Sequence, residues 1–216
     1  IFDILRWHYH CGYELEEYTL ANGTLVLKIR LDPPMQNRSL VVGLNFIGEK
    51  ALMVRAALNR LPIFEAGPIL VKDKLEEAKP GLDEKNDSLE FSTKHVKTLI
   101  QKKPFQIRLT DSQGRAFFEE YLEGIGRYFP SYPMGLKVLE DGELHFIESL
   151  KLEADESVYG FGERFGPFSK RGQSLFLWNS DTTATSSDRS YKSIPFYLTS
   201  RGYGFFVRSG HKISFE

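Results

Sequence analysis

Residues 24–31 read Thr-Leu-Val-Leu-Lys-Ile-Arg-Leu, and this alternation constrains the fold more than any other feature of the chain. Leu25, Leu27, Ile29 and Leu31 fall on one side of an extended segment and Lys28 and Arg30 on the other, with Val26 the single break in the polar side. Successive side chains of a strand point to opposite faces, so period two with one apolar face specifies a half-buried strand. Ser39–Phe46 repeats the pattern through Leu40, Val42, Leu44 and Phe46. Further on, Phe105, Ile107 and Leu109 alternate with Gln106, Arg108 and Thr110. Asp111-Ser112-Gln113-Gly114 then supplies turn chemistry, so 105–118 reads as a hairpin. Leu144, Phe146, Leu150 and Leu152 share one face of a later strand, with Glu148 the exception on that face. Leu175–Trp178 and Phe196–Thr199 are also strand-like, and Ser200-Arg201-Gly202 turns the chain back into Tyr203–Arg208.

Three stretches are less regular. Residues 49–61 carry both a helical stripe (Val54, Ala57, Leu58, Leu61) and an alternating one (Leu52, Val54, Ala56, Leu58); the good helix formers favour helix. Asp73–Asp87 is rich in charge and broken by Pro80-Gly81, the mark of a solvated loop. Tyr128–Gly135, with Pro130 and Pro133, reads as a surface crossover. About ten to twelve short strands with turn punctuation, no internal repeat and no βαβ pattern predict an all-β fold, a sandwich of two sheets packed face to face. The 17 Phe and 10 Tyr among 216 residues agree, because aromatic side chains suit strands. Length fits one large sandwich, and we expect residues 1–216 to form a single β-sandwich domain.

Charge excludes several partners. With 28 basic and 29 acidic residues the net charge is -1, so no basic field exists to hold nucleic acid or an anionic membrane surface. No apolar run reaches the ~20 residues of a spanning helix. Cys11, the single cysteine, has no internal partner and reads as an inert thiol; a reducing, cytoplasmic compartment is the weak implication. Asn22, Asn37 and Asn86 begin glycosylation-type triplets, which arise often by chance. His8-x-His10 is the one metal-like spacing and lacks a third ligand, so no metal is expected, and no cofactor. The chain opens on Ile1 and closes in Ile213–Glu216, which reads as a strand cut short; we expect a longer polypeptide.

Three blocks within about fifty residues carry chemistry by resemblance: Tyr159-Gly160-Phe161-Gly162-Glu163-Arg164-Phe165, then Trp178-Asn179-Ser180-Asp181, then Tyr191-Lys192-Ser193-Ile194-Pro195-Phe196-Tyr197 with Gly202-Tyr203-Gly204. In this order they resemble the N-terminal domain of glycoside hydrolase family 31, which includes α-xylosidases and α-glucosidases. The resemblance is specific over the last third of the chain and loose over residues 1–85. It implies a galactose-mutarotase-like β-sandwich that precedes a (β/α)8 catalytic barrel and lends a loop to the mouth of that barrel, where barrel enzymes hold their active sites. The implied partners are an oligosaccharide or glycoside substrate and the protein's own barrel domain. The second and third blocks lean towards the α-xylosidase branch.

Retaining glycosidases need two carboxyl groups about 5–5.5 Å apart. In the family both are barrel aspartates, the nucleophile in a Trp-x-Asp-Met-Asn-Glu type motif that this chain lacks. No catalytic residue is therefore expected here, and the chain alone should be inactive. The resemblance makes Asp181 a substrate-binding residue, since an ionised carboxylate accepts two sugar hydroxyls; the plainer reading is a cap on the Ser180–Thr183 turn. Asn179 and Trp178 flank it. Trp178 could line a sugar pocket, but a tryptophan at a strand end is more often core. Glu163 and Arg164 read as a structural ion pair within a tight turn marked by Gly160, Gly162 and Gly166. No helix signature follows, which argues against a phosphate cradle. Phe165, Phe168 and Arg164 are candidates for the interface with the barrel, and the Ser/Thr-rich 182–189 loop should be mobile without it. Two other functions fit the fold: a stand-alone mutarotase-like enzyme, which needs a histidine and a carboxylate over an open sheet face, and a carbohydrate-binding module with exposed aromatics.

Overall fold

The computed structural model describes residues 7–61, 78–121, 133–181 and 189–216. It contains sixteen strands and no helix among those residues, and every strand pairing is antiparallel. The all-β expectation holds. The chain divides into two compact units, Ile1–Lys151 and Leu152–Glu216.

The first unit is a sandwich. One sheet has six strands: β1 (Trp7–Ala21), β2 (Thr24–Asp32), β3 (Leu40–Ile47), β4 (Ala51–Leu58), β10 (Gly135–Leu139) and β11 (Leu144–Ile147), in the order β11-β10-β1-β2-β3-β4. The other has five in sequence order: β5 (Gly81–Glu84), β6 (Ser88–Ser92), β7 (Val96–Gln101), β8 (Gln106–Asp111) and β9 (Ala116–Glu119). The two share one core. Leu25, Leu27, Ile29 and Leu31 of β2 and Leu40, Val42, Leu44 and Phe46 of β3 pack with Leu89, Phe91, Ile100 and Ile107 of the facing sheet. The rings of Phe46 and Phe91 lie 5.2 Å apart. The strand faces read from the sequence at 24–31 and 39–46 are thus the ones buried.

Turn chemistry sets the register. Asn22 and Gly23 take φ of 50° and 71° in the two-residue loop that closes the Ala21–Thr24 pair, the left-handed pair that a tight hairpin requires. The Asp111 turn forms as expected: its carboxylate accepts from the amides of Gln113 (2.8 Å) and Arg115 (3.0 Å) and pairs with Arg115 Nε at 2.7 Å.

Four expectations need correction or fall outside the described residues. Residues 51–58 form strand β4 rather than a helix; Leu40 pairs with Leu58 and Ile47 with Ala51, and a full ladder on the edge of β3 outweighs helix propensity. The charged 73–87 stretch is not all loop, because Gly81–Glu84 pairs with Leu89–Ser92 as β5; residues 73–77 lie outside the described residues. Leu144 and Phe146 are 40% and 47% exposed, so the apolar stripe of β11 faces outward. Of the 128–135 crossover, residues 128–132 lie outside the described residues.

The second unit has a three-stranded sheet, β12 (Val158–Gly162), β14 (Ser193–Thr199) and β15 (Gly204–Phe206) in the order β12-β14-β15. It also has a two-stranded sheet of β13 (Leu175–Leu177) and β16 (Ile213–Phe215). Its core is small and aromatic: Phe161, Leu175 and Leu177 are buried, with Val158, Tyr197, Ile213 and Phe215 packed on them.

Since Leu27 is fully enclosed, Leu27→Ala removes buried methyl groups and leaves a void. We expect a loss of about 2–5 kcal/mol in urea-induced unfolding. A loss below about 1 kcal/mol would mean that the two sheets do not close on each other at this position.

Candidate functional site

The three sequence blocks meet in the second unit. Block one forms β12 and block three forms β14, and the two strands pair with Tyr159 opposite Leu198, Gly160 opposite Tyr197 and Gly162 opposite Ser193. The register shifts between Gly160 and Gly162. At that bulge Gly160, Phe161 and Gly162 take φ of 126°, 68° and 86°. A Cβ on Gly162 would lie 1.9 Å from Lys192 O, so no other residue fits there without moving the backbone of block three. The bulge turns Phe161 into the core, 4.7 Å from the ring of Phe215 and 5.4 Å from that of Tyr197. Burial there, with Glu156 nearby, pushes the Tyr197 hydroxyl up to about 12.

Ser190, just ahead of block three, ties the blocks together. Its hydroxyl donates to Glu163 O (2.6 Å) and accepts from Lys192 N (3.0 Å), and its carbonyl accepts from Ser180 N (3.1 Å). Asn179 of block two forms a parallel bridge with Ser190, and its Oδ1 accepts from Ser193 N at 2.8 Å. Arg164 donates to Phe176 O (2.7 Å) and Ser193 Oγ (2.9 Å). Glu163 pairs with Lys192 at 3.0 Å. The expected Glu163–Arg164 pair is therefore corrected: adjacent residues leaving a strand point apart, and each finds its partner across the sheet. No sequence pattern marked Ser190, since a lone serine carries no spacing signal.

The candidate substrate residues stand at the exit of β13. Leu175 and Leu177 point inward, so Phe176 and Trp178 point out, each 49% exposed. Trp178 is not core, contrary to the sequence expectation; the strand alternation simply continues through it, and Lys212 Nζ lies 5.6 Å from its ring centroid. Asp181 is exposed. Residues 182–188 lie outside the described residues, and with them both the capping partners proposed for Asp181 and the loop expected to be mobile.

Phe165 and Phe168 are 61% and 83% exposed, and the Phe168 ring lies 5.0 Å from that of Tyr159. Tyr159 shares a sheet face with Leu198, its partner across the ladder. On that face Ile194, Phe196 and Leu198 of β14 and Phe206 of β15 are 51%, 38%, 51% and 37% exposed. Gly204 lies beneath the Phe196 and Leu198 side chains, where a Cβ would come within 3.0 Å of each. The outer face of this sheet is therefore a run of apolar side chains open to water. The one His–carboxylate ion pair among the described residues, His145–Glu143 at 3.2 Å, sits in the first unit at the β10–β11 turn with both side chains about half exposed or more (48% and 65%). That is a surface pair rather than a general acid–base arrangement.

The family model for the glycosyl hydrolase 31 N-terminal galactose mutarotase-like domain matches residues 41–216. The chain belongs to that family. It is 53% identical over 70 residues to an α-xylosidase of Emericella nidulans, an alignment covering 32% of this chain and 9% of the relative. It is 24% identical over 181 residues to alpha-glucosidase 2 of Bacillus thermoamyloliquefaciens, covering 81% of this chain and 20% of that protein. Among solved structures, the cycloalternan-forming enzyme of Listeria monocytogenes in complex with a pentasaccharide substrate superposes with a TM-score of 0.75 at 17% identity, over 96% of this chain and 18% of that one. The chain thus spans a fifth or less of the length of these proteins.

Replacing Gly162 tests the bulge. Left-handed φ alone costs an L-residue about 1–2 kcal/mol, and Gly162→Ala adds the overlap with Lys192 O. Gly166, at φ 109° with open space around it, isolates the strain. Gly162→Ala should lower Tm clearly more than Gly166→Ala; equal effects would mean that block three does not press on Gly162.

Proposed function

We propose that this chain is the N-terminal accessory domain of a retaining α-glycosidase, an α-xylosidase or α-glucosidase acting on terminal α-linked sugars, whose catalytic (β/α)8 barrel lies on the same longer polypeptide. The observation that carries this reading is the outer face of β14 and β15. Ile194, Phe196, Leu198 and Phe206, with Tyr159 and Phe168 beside them, leave an apolar sheet face in water. A contiguous apolar face of this kind marks an interaction site. The occupant is the barrel domain, which supplies the protein surface that the small second unit cannot. Phe165, Phe168 and Arg164 border that interface in this reading, with Arg164 holding the β12 exit in shape through Phe176 and Ser193.

Asp181, with Asn179 and Trp178, is the contribution to substrate. Asn179 is engaged in fixing block two to block three, so it positions the loop. Trp178 and Asp181 project from it, an aromatic plane and a free carboxylate suited to a sugar ring and its hydroxyls. The α-xylosidase relative at 53% identity favours a xyloside.

Two measurements test this. The 216-residue chain should not turn over aryl α-xylosides or α-glucosides; turnover that survives purification and vanishes on mutating a residue of this chain would overturn the reading. In the full-length enzyme Asp181→Asn weakens one charge-assisted hydrogen bond, so kcat/KM should fall about tenfold to hundredfold, the equivalent of roughly 1.5–3 kcal/mol. The two-carboxylate pH profile should persist. A loss of many more orders of magnitude with azide rescue would make Asp181 a catalytic residue, and an unchanged kcat/KM would return it to turn capping.

A further inference from the structure

After β11 the chain runs along the end of β9. Lys151 N donates to Glu119 O (2.8 Å), Tyr121 N donates to Ser149 O (2.9 Å), and Glu120 bridges Leu150. This short antiparallel ladder holds the last residues of the first unit, which ends at Lys151. Two glutamates sit within it. Glu120 is 1% exposed; its Oε2 accepts from the amide of Ile107 at 2.6 Å, and its carbonyl accepts from Gln106 Nε2 at 2.7 Å. Glu148 is half-buried as a residue, yet its Oε1 is closed off from solvent, as is Oε1 of Glu120. Neither of these two oxygens meets a donor, although the two carboxyl groups are within hydrogen-bonding reach of each other.

Among the described residues no cation offsets the pair. Arg108 is paired with Glu119 at 3.2 Å. Tyr121 and Lys151 flank the ladder, and the groups that bear on the two carboxyls are each other and the backbone amides of Ile107 and Ser149. Two adjacent buried carboxylates, each with one oxygen lacking a donor, resist being ionised together, because each lacks solvation and repels the other. A proton held between the two carboxyls relieves the repulsion, one carboxyl donating and the other accepting.

We propose that Glu120 and Glu148 share a proton, forming an acid–carboxylate hydrogen bond that fastens residues 148–151 to the β8–β9 edge and loosens as the pH rises. The group that leaves is a proton to solvent, and no other bond changes. Burial first, opposed by the Ile107 amide, pushes Glu120 up to about 8; burial and then the Glu120 charge push Glu148 well above the usual carboxylate range. The two titrate as a unit.

The sign follows from linkage. Folded-state affinity for the proton exceeds that of the unfolded chain. The stabilisation is therefore complete below the ordinary glutamate pKa of about 4.3 and is lost as pH rises through the raised range of the pair. Between those limits the folded state holds at least one more proton, so the folding constant falls at least about tenfold per pH unit. Glu14, Glu84 and Asp155 act in the opposite direction and at lower pH, being held below the usual range by Arg30, Lys102 and Arg201.

The test uses the 216-residue chain. A carbon-13 titration of glutamate carboxyls should show one pair still changing near pH 8; completion of every glutamate titration below pH 6 would overturn the proposal without any variant. Urea unfolding at pH 5.5 and 7.5 should show a fall of at least about a hundredfold in the folding constant. Glu148→Gln leaves one titrating carboxyl with a permanent amide donor and should lessen that fall, as should Glu120→Gln. Amide protection at Tyr121 and Lys151, corrected for intrinsic exchange, should drop as the pair loses its proton in the wild type and drop less in Glu148→Gln. The same slope in wild type and both variants would overturn the shared proton.

Discussion

The dry interface between the two sheets of the first unit governs the rest of the structure. Leu25, Leu27, Ile29 and Leu31 face Leu89, Phe91, Ile100 and Ile107 within one cluster, and all but Leu31, at 1%, are fully enclosed. Because side chains alternate, a slip of one residue in β2 would carry the whole set into water and bring Lys28 and Arg30 inside. Register is therefore fixed at the centre and propagates outward through the ladders. The Asn22-Gly23 loop fixes β1 against β2. The fifteen-residue β1 then reaches β10 by taking up two irregularities, between Gly12 and Glu14 and between Leu15 and Glu17. Gly12 is packed where a Cβ would lie 3.3 Å from both Ile29 and Phe105, so the long strand passes close over the core.

The second unit solves a different problem. Its three-stranded sheet is apolar on both faces: Phe161, Tyr197 and Phe205 stack inward, meeting Phe215 of β16, with centroids 4.7–6.1 Å apart, while Ile194, Phe196, Leu198 and Phe206 look outward. Polar outward residues are the rule for a sheet at a surface. A sheet apolar on both sides suits the middle layer of a larger body, and this physical fact underlies the reading of the chain as one module of a longer enzyme. The blocks that identify the family also build this layer. Block one needs its glycines because Lys192 O lies where a side chain would be, and block three supplies the face.

Strands β2, β3 and the β8–β9 hairpin were legible because each has one period and one apolar face. The 51–58 segment was not, since a short apolar run satisfies both the helical and the extended period; the exposed edge of β3, invisible in the sequence, decided it. β11 misled in the other direction. Leu144 and Phe146 alternate cleanly but point outward, and pattern alone does not say which side of a sheet has a partner. Trp178 was misjudged for the same reason. The family blocks were readable in order, whereas their meeting point at Ser190 depends on hydrogen bonds to three separate stretches, at Glu163, Ser180 and Lys192. Glu148, the polar break in an apolar stripe, was visible as an anomaly whose meaning required Glu120, twenty-eight residues away in the chain, to be brought beside it.

That pair also bears on the proposed division of labour. A retaining mechanism needs two carboxyl groups, one to attack the anomeric carbon and one to move a proton, about 5–5.5 Å apart and open to substrate. Among the described residues, Glu120 and Glu148 are the two carboxyls with the strongly raised proton affinity expected of a catalytic acid. Their orphan oxygens, however, are closed off from solvent, so no sugar ring reaches them. Glu120 Oε2 is held by Ile107 N within the β8 backbone. Perturbed proton affinity here reports burial in a structural clamp. The exposed carboxylate of the family loop, Asp181, has the accessibility for sugar contact but stands without a second carboxyl in the Trp178–Asp181 block. Accessibility and raised proton affinity thus fall on different residues of this chain.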